Sequence, residues 1–254
     1  MRFLTMGSLL INQPEHKNVE NYYRELDIEN AVAVTRYMVD EVTYTRTVFS
    51  SFADNVIVVR MEADKPKALN FDLSYNSPLK HVVMAKGNEL VVKCEGVEQE
   101  GIPAALNAEC RILVRHNGKS GKSNKSVVVD QATVATLYIS AATNFVNYHD
   151  VGGNASKLAS SILKRAVKVP YEQALANHIA AYKEQFDRVT FSIPSTETST
   201  LETDKRVVAF GEGKDLNLIA LMFQYGRYLL ISSSQPGGTR PPICKGLWCN
   251  SVYA

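Results

Sequence analysis

The stretch that most restricts the fold is residues 215–237, which read DLNLIALMFQYGRYLLISSSQPG. Apolar side chains fall on every face of a helix drawn through its first part, and such a helix is buried among other helices or spans a membrane. Arg227, Asn217 and Gln224 interrupt the run before it reaches the roughly 18 apolar residues that a span needs. We therefore predict a buried helix. Only 17 residues follow Gly237, so the pattern indicates the start of a helical domain whose remainder is missing.

The charge balance argues against nucleic acid as the main partner. The 254 residues include 28 Lys and Arg against 26 Asp and Glu, a net charge of +2, whereas a nucleic-acid-binding domain usually carries a concentrated basic stripe. The chain is 45% hydrophobic and 21% charged, as is typical of globular domains. Its length allows one large domain, or one domain and part of another. We expect neither a nucleic-acid nor a membrane partner.

The pattern from residue 7 to about residue 142 is typical of β-strands. Residues 31–39 and 42–50 are rich in Val, Thr, Tyr and Phe, and Asp40-Glu41 between them predicts a hairpin. Short strands are predicted at 56–63, 68–73, 81–84, 89–95, 105–116, 126–130 and 133–141. About ten strands without a helix among them predict an antiparallel sandwich.

Helices are predicted after residue 144, where polar and Gly-containing residues form a connection. Asn154 or Ser156 can cap a short helix, and one of its faces carries Leu158, Ile162 and Ala166. A second helix is predicted at 171–188, with an apolar stripe of Leu175, Ile179, Tyr182 and Phe186.

The region between the second helix and residue 215 is predicted to be mostly irregular. Residues 189–193 predict a short strand that rejoins the sandwich, and residues 194–203 a polar linker. Thr203 or Asp204 is expected to cap a turn before the apolar helix.

No set of side chains forms a convincing active site by pattern alone. Gly121-Lys122-Ser123 matches the end of a phosphate-binding loop. That motif also requires Gly five residues before Gly121, where this chain has His116, so a hairpin tip fits better. An acidic cluster, Glu95, Glu98 and Glu100, is predicted to lie in a solvated loop between strands. The histidines are isolated from one another and predict no metal site, with His178 on a helix flank; they are His16, His81, His116, His149 and His178.

Two further residue sets have alternative interpretations. The cysteines are expected to be free thiols; they are Cys94, Cys110, Cys244 and Cys249. Four strand tyrosines could either bind sugar rings as exposed aromatics or pack across the sheet; they are Tyr22, Tyr23, Tyr37 and Tyr44.

Several motifs in register resemble glycoside hydrolase family 95, the α-L-fucosidases. The most specific is Tyr225-Gly226-Arg227-Tyr228-Leu229-Leu230-Ile231-Ser232-Ser233-Ser234, with Pro236-Gly237 and then Gly246-Leu247-Trp248 after it. Upstream motifs in the same order are Met6-Gly7-Ser8-Leu9-Leu10-Ile11, Tyr23-Arg24-Glu25-Leu26-Asp27, Val42-Thr43-Tyr44-Thr45-Arg46, Ala141-Ala142-Thr143-Asn144-Phe145 and Thr203-Asp204-Lys205-Arg206. The tail departs from the family, because Pro242-Ile243-Cys244-Lys245 replaces its usual run and Cys249 separates Trp248 from Asn250.

The resemblance implies a mainly β fold with α-helices: an antiparallel β-supersandwich, then linker helices and the first helix of an incomplete (α/α)6 barrel. The implied domains are 1–145 (a β-sandwich truncated at its start), 146–203 (a helical linker with a short returning strand) and 204–254 (the truncated start of the catalytic domain). Without barrel partners, the first barrel helix is expected to cause self-association.

The chemistry that the resemblance implies is inverting hydrolysis of terminal fucose from glycans, without a cofactor. The family's acid Glu, base-side Asp and two Asn residues follow the Gly-Leu-Trp turn, and none maps onto this chain. We therefore expect no catalytic residues here and no activity of the chain alone. The family is often secreted or periplasmic, but residues 1–13 lack a signal-peptide core, so the compartment stays open. The alternatives are a stand-alone carbohydrate-binding or scaffolding β-sandwich and a relative of the disaccharide phosphorylases.

Overall fold

A computed structural model describes residues 5–98 and 100–236 of the chain. Its first part is built from strands in sequence order: β1 Ser8–Asn12, β2 Glu20–Asp27, β3 Val32–Val39, β4 Val42–Ser51, β5 Val56–Ala63, β6 Leu69–Asn76, β7 His81–Lys86, β8 Glu89–Glu95, β9 Asn107–His116, β10 Lys119–Ser120, β11 Val127–Ala132 and β12 Val134–Thr143. Four helices follow: α1 Ala155–Ala166, α2 Tyr171–Phe186, α3 Thr203–Gly211 and α4 Asn217–Ser233. The predicted fold class, mainly antiparallel β with α-helices, is confirmed.

The strands form two sheets in which the paired neighbours are antiparallel. The larger sheet has the order β2-β3-β4-β5-β12-β9-β8-β7, and the smaller has the order β1-β6-β11-β10. Alternate residues of β6, β8, β9, β11 and β12 enter one core, as the two-residue period of a strand allows. Examples on β6, β8, β9, β11 and β12 are Leu69, Phe71, Leu73, Leu90, Val92, Ile112, Val114, Val127, Val129 and Leu137.

The predicted hairpin of β3 and β4 is confirmed, with Val39 opposite Val42. Asp40 and Glu41 have φ angles of 48° and 59°. Positive φ at both central residues is the geometry of a type I′ turn, whose twist matches that of the flanking strands. The turn therefore forms although neither residue is glycine, and it fixes the register of the pair.

Strand β2 was not predicted. It is an edge strand, and all of its residues except Asp27 are exposed. Because neither face is buried, the sequence shows no two-residue hydrophobic period there. Its pairing with β3 shifts register between Glu20 and Tyr23, next to Asn21 with a φ of 50°.

Helix α1 covers part of the second face of the larger sheet. Asn154 is its N-cap, and its side-chain oxygen accepts from the backbone N–H of Lys157 at 2.8 Å, which confirms the predicted cap. The predicted buried face is wrong for Leu158, which is 50% exposed. The buried residues are Ala159, Leu163 and Ala166. The small Ala159 allows close approach to β12, where the Ser140 hydroxyl donates to its carbonyl at 3.0 Å.

The prediction for His178 of α2 is also wrong. Its side chain is buried, and its ring stacks on Phe49 of β4 with centroids 5.0 Å apart. Ala174, His178 and Tyr182 are buried at four-residue spacing, so His178 lies in the buried stripe of the helix rather than on its flank. Ala174 is too small to make that stripe visible as a hydrophobic pattern.

By packing, the described residues divide into two compact units. One comprises 5–27, 32–98 and 100–178, and the other comprises 28–31 and 179–236. In the second unit, Tyr182 donates to the carbonyl of Ile28 at 2.8 Å. The three family-based domains predicted above remain a prediction, because compact units follow packing and not family boundaries.

The strand predicted at 189–193 does not form. The carbonyl of Val189 accepts from Arg227 at 2.9 Å, and that of Ile193 accepts from the Asn217 side chain. Side chains of α4 thus bind carbonyls that a strand would present to a neighbouring strand. Arg227 also donates to the carbonyls of Gln185 and Phe186 at 3.2 and 2.8 Å, which satisfies the carboxyl end of α2.

The region before α4 also differs from the prediction. Neither Thr203 nor Asp204 caps a turn: α3 is a nine-residue helix whose N-cap is Glu202, and no side chain makes the capping hydrogen bond. The Glu202 carboxylate instead accepts from Lys205 at 2.8 Å.

Helix α4 is confirmed as a helix, but its burial is not. Among its described residues only Ala220 and Ile231 are buried, while Met222 is 76% exposed and Leu230 54%. No helix in the described part of the chain combines the length and hydropathy needed to cross a membrane.

Candidate functional site

A groove of about 500 Å³ opens in the first unit, where residues of both sheets meet. The larger sheet contributes the β3–β4 hairpin with Val39, Asp40, Val42 and Tyr44. The smaller sheet contributes Asn70, Phe71 and Asp72 of β6 and Val128 and Asp130 of β11. The segment between β1 and β2 adds Pro14, Glu15 and His16. This volume lies in the range of natural small-ligand sites.

Two aromatic rings form one wall of the groove. Tyr44 is 8% exposed, and its hydroxyl donates to the carbonyl of Ala68 at 3.2 Å. The His16 ring lies 4.2 Å from the Tyr44 ring, measured between centroids. Tyr37, directly opposite Tyr44 in the β3–β4 register, stacks on it at 5.5 Å. Cross-strand pairing therefore holds the aromatic wall in place.

Hydrogen bonds attach the 13–16 segment to the hairpin. Nδ1 of His16 lies 2.9 Å from the hydroxyl of Tyr37. The side-chain oxygen of Gln13 accepts from Arg46 at 3.1 Å and from the Tyr37 hydroxyl at 3.2 Å. These contacts fix the backbone that carries Glu15 and His16 along the edge of the groove.

The protonation states at this wall follow from burial. Burial lowers the pKa of His16, and the nearby Arg46 guanidinium lowers it further. Burial likewise raises the pKa of Tyr37 and of Tyr44. Near neutral pH the imidazole is therefore neutral and both phenols are protonated.

The polar lining of the groove consists mainly of carboxylates. Glu15, Asp40, Asp72 and Asp130 all line it, and neither Lys nor Arg is among its lining residues. The Asn12 side chain donates to Asp72 at 2.8 Å, across the β1–β6 pair in which these two residues are opposite each other. Ionised carboxylates only accept hydrogen bonds, so this lining is suited to ligands that donate them.

The four candidate tyrosines do not lie together. Tyr44 lines the groove and Tyr37 supports it, as the packing interpretation predicts. Tyr22 and Tyr23 lie on the edge strand β2 and are 59% and 51% exposed. The sequence alone does not distinguish the two tyrosines at the groove from the two on the edge strand.

The acidic and Gly-Lys-Ser candidates lie in loops, as predicted, apart from Glu95. Glu95 is the last residue of β8 and pairs with Lys80 at 2.7 Å. Gly121 begins the connection from β10 to β11, and its N–H donates to the carbonyl of Val128 at 2.9 Å. The Ser123 hydroxyl accepts from the N–H of Ser126 at 3.1 Å. A strand follows this loop, so the hairpin prediction is confirmed.

Cys94 and Cys110 are buried free thiols, as predicted. Burial raises the pKa of both, that of Cys110 to about 12, which leaves them unreactive. Cys244 and Cys249 lie outside the described residues. Among the residues that the structure describes, no three or more His, Cys, Asp or Glu side chains are grouped to hold a metal ion.

Family comparisons place both parts of the chain among the glycoside hydrolases. Residues 1–148 match the model described as "Glycosyl hydrolase family 65, N-terminal domain", and residues 170–254 match the "Glycosyl hydrolase family 95 catalytic domain". The chain therefore belongs to the glycoside hydrolases, with a family 65-type N-terminal domain and a segment of a family 95 catalytic domain. This confirms the family resemblance.

Two curated relatives match nearly the whole chain. "Alpha-L-fucosidase 2" of Arabidopsis thaliana is 31% identical over 265 residues, covering 91% of this chain and 31% of that protein. "Probable alpha-fucosidase A" of Aspergillus niger is 26% identical, covering 98% of this chain and 33% of that protein. The chain thus spans about a third of the length of these relatives.

Solved structures share less with the chain. A "Putative kojibiose phosphorylase from human microbiome" is 11% identical with a TM-score of 0.43, covering 65% of this chain and 23% of that one. A family GH92 α-mannosidase from Bacteroides thetaiotaomicron is 7% identical with a TM-score of 0.32, covering 68% of this chain and 24% of that one.

Proposed function

We propose that this chain is part of an α-L-fucosidase-like glycoside hydrolase that removes terminal fucose from glycans with inversion. The observation that carries the proposal is the match of residues 170–254 to the family 95 catalytic domain. The two relatives named as fucosidases support it, since they align with 91% and 98% of this chain.

The chemistry of such an enzyme requires two groups on opposite sides of the glycosidic bond. A carboxylic acid protonates the leaving oxygen, while a base activates water on the other face of the sugar, at carboxyl separations of roughly 6.5–9.5 Å. The family resemblance assigns neither group to residues 1–254. We therefore propose that the 254-residue polypeptide alone does not hydrolyse fucosides.

A chimera tests whether this chain can take the place of the matching part of a fucosidase. This chain would replace the matching third of the Arabidopsis relative, and release of fucose from an α-1,2-fucosylated glycan would be followed by NMR of the newly formed anomer. We expect hydrolysis, with the catalytic groups supplied by the Arabidopsis parent. A chimera that melts cooperatively, like the parent, but releases no fucose would contradict the proposal.

The isolated chain tests the second part of the proposal. We expect no fucose release from the purified 254-residue polypeptide above that of a preparation from cells carrying an empty vector. Turnover that co-elutes with the folded chain, and is absent from the empty-vector preparation, would overturn it.

The groove supports one second candidate, a carbohydrate-binding role for the β-sandwich. Its aromatic wall and acceptor-rich lining are features of the first unit alone. This role is compatible with the hydrolase assignment, because binding at the groove does not require hydrolysis.

A further inference from the structure

We propose that the groove between the β3–β4 hairpin and strands β6 and β11 binds a neutral pyranose unit of a glycan. The inference goes beyond the proposed hydrolase activity, because binding at this groove does not require hydrolysis. It rests on three properties of the groove: its size, its aromatic and apolar wall, and its one-sided hydrogen-bonding character.

The wall suits the apolar face of a sugar ring. Tyr44 and His16 lie side by side in this wall, 4.2 Å apart between ring centroids, beside Val39, Val42, Phe71 and Val128. Tyr44 is 8% exposed, so a ligand would touch only part of its ring. Binding sites of this volume typically combine such an apolar surface with a few polar groups that set orientation. The Tyr44 hydroxyl is engaged by the Ala68 carbonyl at 3.2 Å, which favours a role for the ring rather than for the hydroxyl.

The polar lining suits hydroxyl donors. Asp72 on β6 and Asp130 on β11 belong to neighbouring strands of the smaller sheet. Their carboxylates accept hydrogen bonds and cannot donate them. Hydroxyl-to-carboxylate bonds are short and stronger than those between neutral groups. Vicinal hydroxyls of a pyranose would supply several such donors at once.

Other ligand classes fit this lining less well. Glu15, Asp40, Asp72 and Asp130 would repel a phosphate, a sulfate or an acidic sugar, since neither Lys nor Arg lines the groove. A metal ion is disfavoured because no three of the described carboxylate, His or Cys groups are placed to hold one. An organic ammonium would satisfy the carboxylates, and the experiment separates it from a neutral sugar.

The test is a titration of the isotopically labelled 254-residue chain, followed by NMR of its backbone amides. The probes are methyl glycosides of L-fucose, D-galactose and D-glucose, with D-glucosamine as the cationic probe and D-glucuronate as the anionic one. We expect saturable shifts at residues 39–44, 70–72 and 128–130 with at least one neutral glycoside. Because that ligand is uncharged, its affinity should be insensitive to salt.

Two groove variants and one matched control make the test specific. Asp72→Asn and Asp130→Asn should each weaken binding of the neutral glycoside by about tenfold or more, as expected for loss of a hydrogen bond to a charged acceptor. Glu98→Gln removes a carboxylate that does not line the groove and should leave the affinity unchanged. Amide spectra identical outside the groove would show that the variants are folded.

Three results would overturn the proposal. One is the absence of saturable shifts with any neutral glycoside. Another is a shift pattern outside the groove, or one that both Asp variants leave intact. The third is binding of D-glucosamine alone, weakened by salt and abolished by N-acetylation, which would identify an ammonium ligand instead. None of these results depends on fucose release, so they are distinguishable from failure of the hydrolase proposal.

Discussion

The guanidinium of Arg206 donates to both carboxylate oxygens of Asp215, from Nε at 2.7 Å and from Nη2 at 3.3 Å. Both side chains are buried, Asp215 completely. Nη2 also donates to the side-chain oxygen of Asn217 at 2.9 Å. The pair thus connects α3 to the start of α4 within the second unit. Its fork geometry is one that Arg provides and Lys does not.

We expect Asp215→Asn to destabilise the chain strongly, because it leaves a buried guanidinium without its counter-charge. Glu212→Gln is the matched control, since it breaks the exposed pair with Lys214 at 2.7 Å. The fall in melting temperature should be several-fold larger for Asp215→Asn, because exposed pairs contribute little. Equal effects of the two substitutions, measured by thermal unfolding, would contradict this.

The same pair predicts a pH dependence. The hydrogen bond from Arg206 lowers the pKa of Asp215 below its ordinary value of 3.8. A carboxylate with a lowered folded-state pKa stabilises the fold above its unfolded-state pKa, and that stabilisation disappears as the pH falls through the folded-state pKa. Acid unfolding of the native chain should therefore steepen below about pH 4. In Asp215→Asn this component should be absent, as monitored by circular dichroism against pH.

His16 predicts a pH effect in a different window. Burial and Arg46 lower its pKa below 6.5, so the unfolded chain binds a proton there before the folded chain does. The free energy of unfolding should therefore decrease as the pH falls below about 6.5. His116 has a pKa lowered by burial as well and contributes in the same direction.

The variant His16→Gln isolates the first contribution. It should reduce the pH dependence of the unfolding free energy between about pH 6.5 and 5. The dependence should not disappear, because His116 still contributes. Urea denaturation at several pH values measures this slope. A slope identical to that of the unsubstituted chain would show that the His16 ring is not protected from protonation in the fold.

The capping of α1 predicts a simple stability change. Asn154 accepts from the N–H of Lys157 at 2.8 Å, so Asn154→Ala should lower the free energy of unfolding by about 1 kcal/mol. Asn154→Asp keeps the acceptor and should cost much less. Urea denaturation of the three proteins checks the order. If Asn154→Ala were neutral, the cap would not stabilise the helix.

Local signals in the sequence were sufficient for much of the fold. The β3–β4 hairpin followed from two β-rich runs around Asp40-Glu41, and the α1 cap from Asn154 before a helical pattern. Both depend on residues close in sequence. Strand β2 was not predicted, because neither of its faces is buried. The strand predicted at 189–193 does not form, because α4 side chains bind the carbonyls of Val189 and Ile193.

The groove could not be predicted by the same means. His16, Tyr44 and Asp130 are far apart in sequence. Tyr44 lies on β4 of the larger sheet, Asp130 on β11 of the smaller sheet and His16 between β1 and β2, so only the packing of the two sheets brings them to one place. His16 was visible only as an isolated histidine. A lone polar residue carries no pattern that distinguishes the wall of a groove from a solvated loop. The packing of the two sheets therefore defines this candidate site.

The exposed face of α4 predicts self-association of the 254-residue chain. Large apolar side chains lie exposed along the helix, among them Met222 at 76% and Leu230 at 54%. Contiguous exposed apolar surface of this kind promotes association. We expect light scattering to show oligomers whose proportion rises with protein concentration. The double variant Met222→Glu and Leu230→Glu should shift the population toward monomer. Val82→Glu, at a residue of β7 that is 58% exposed, is the matched control and should not. A monomer at high concentration, or equal dissociation by the control, would contradict the prediction.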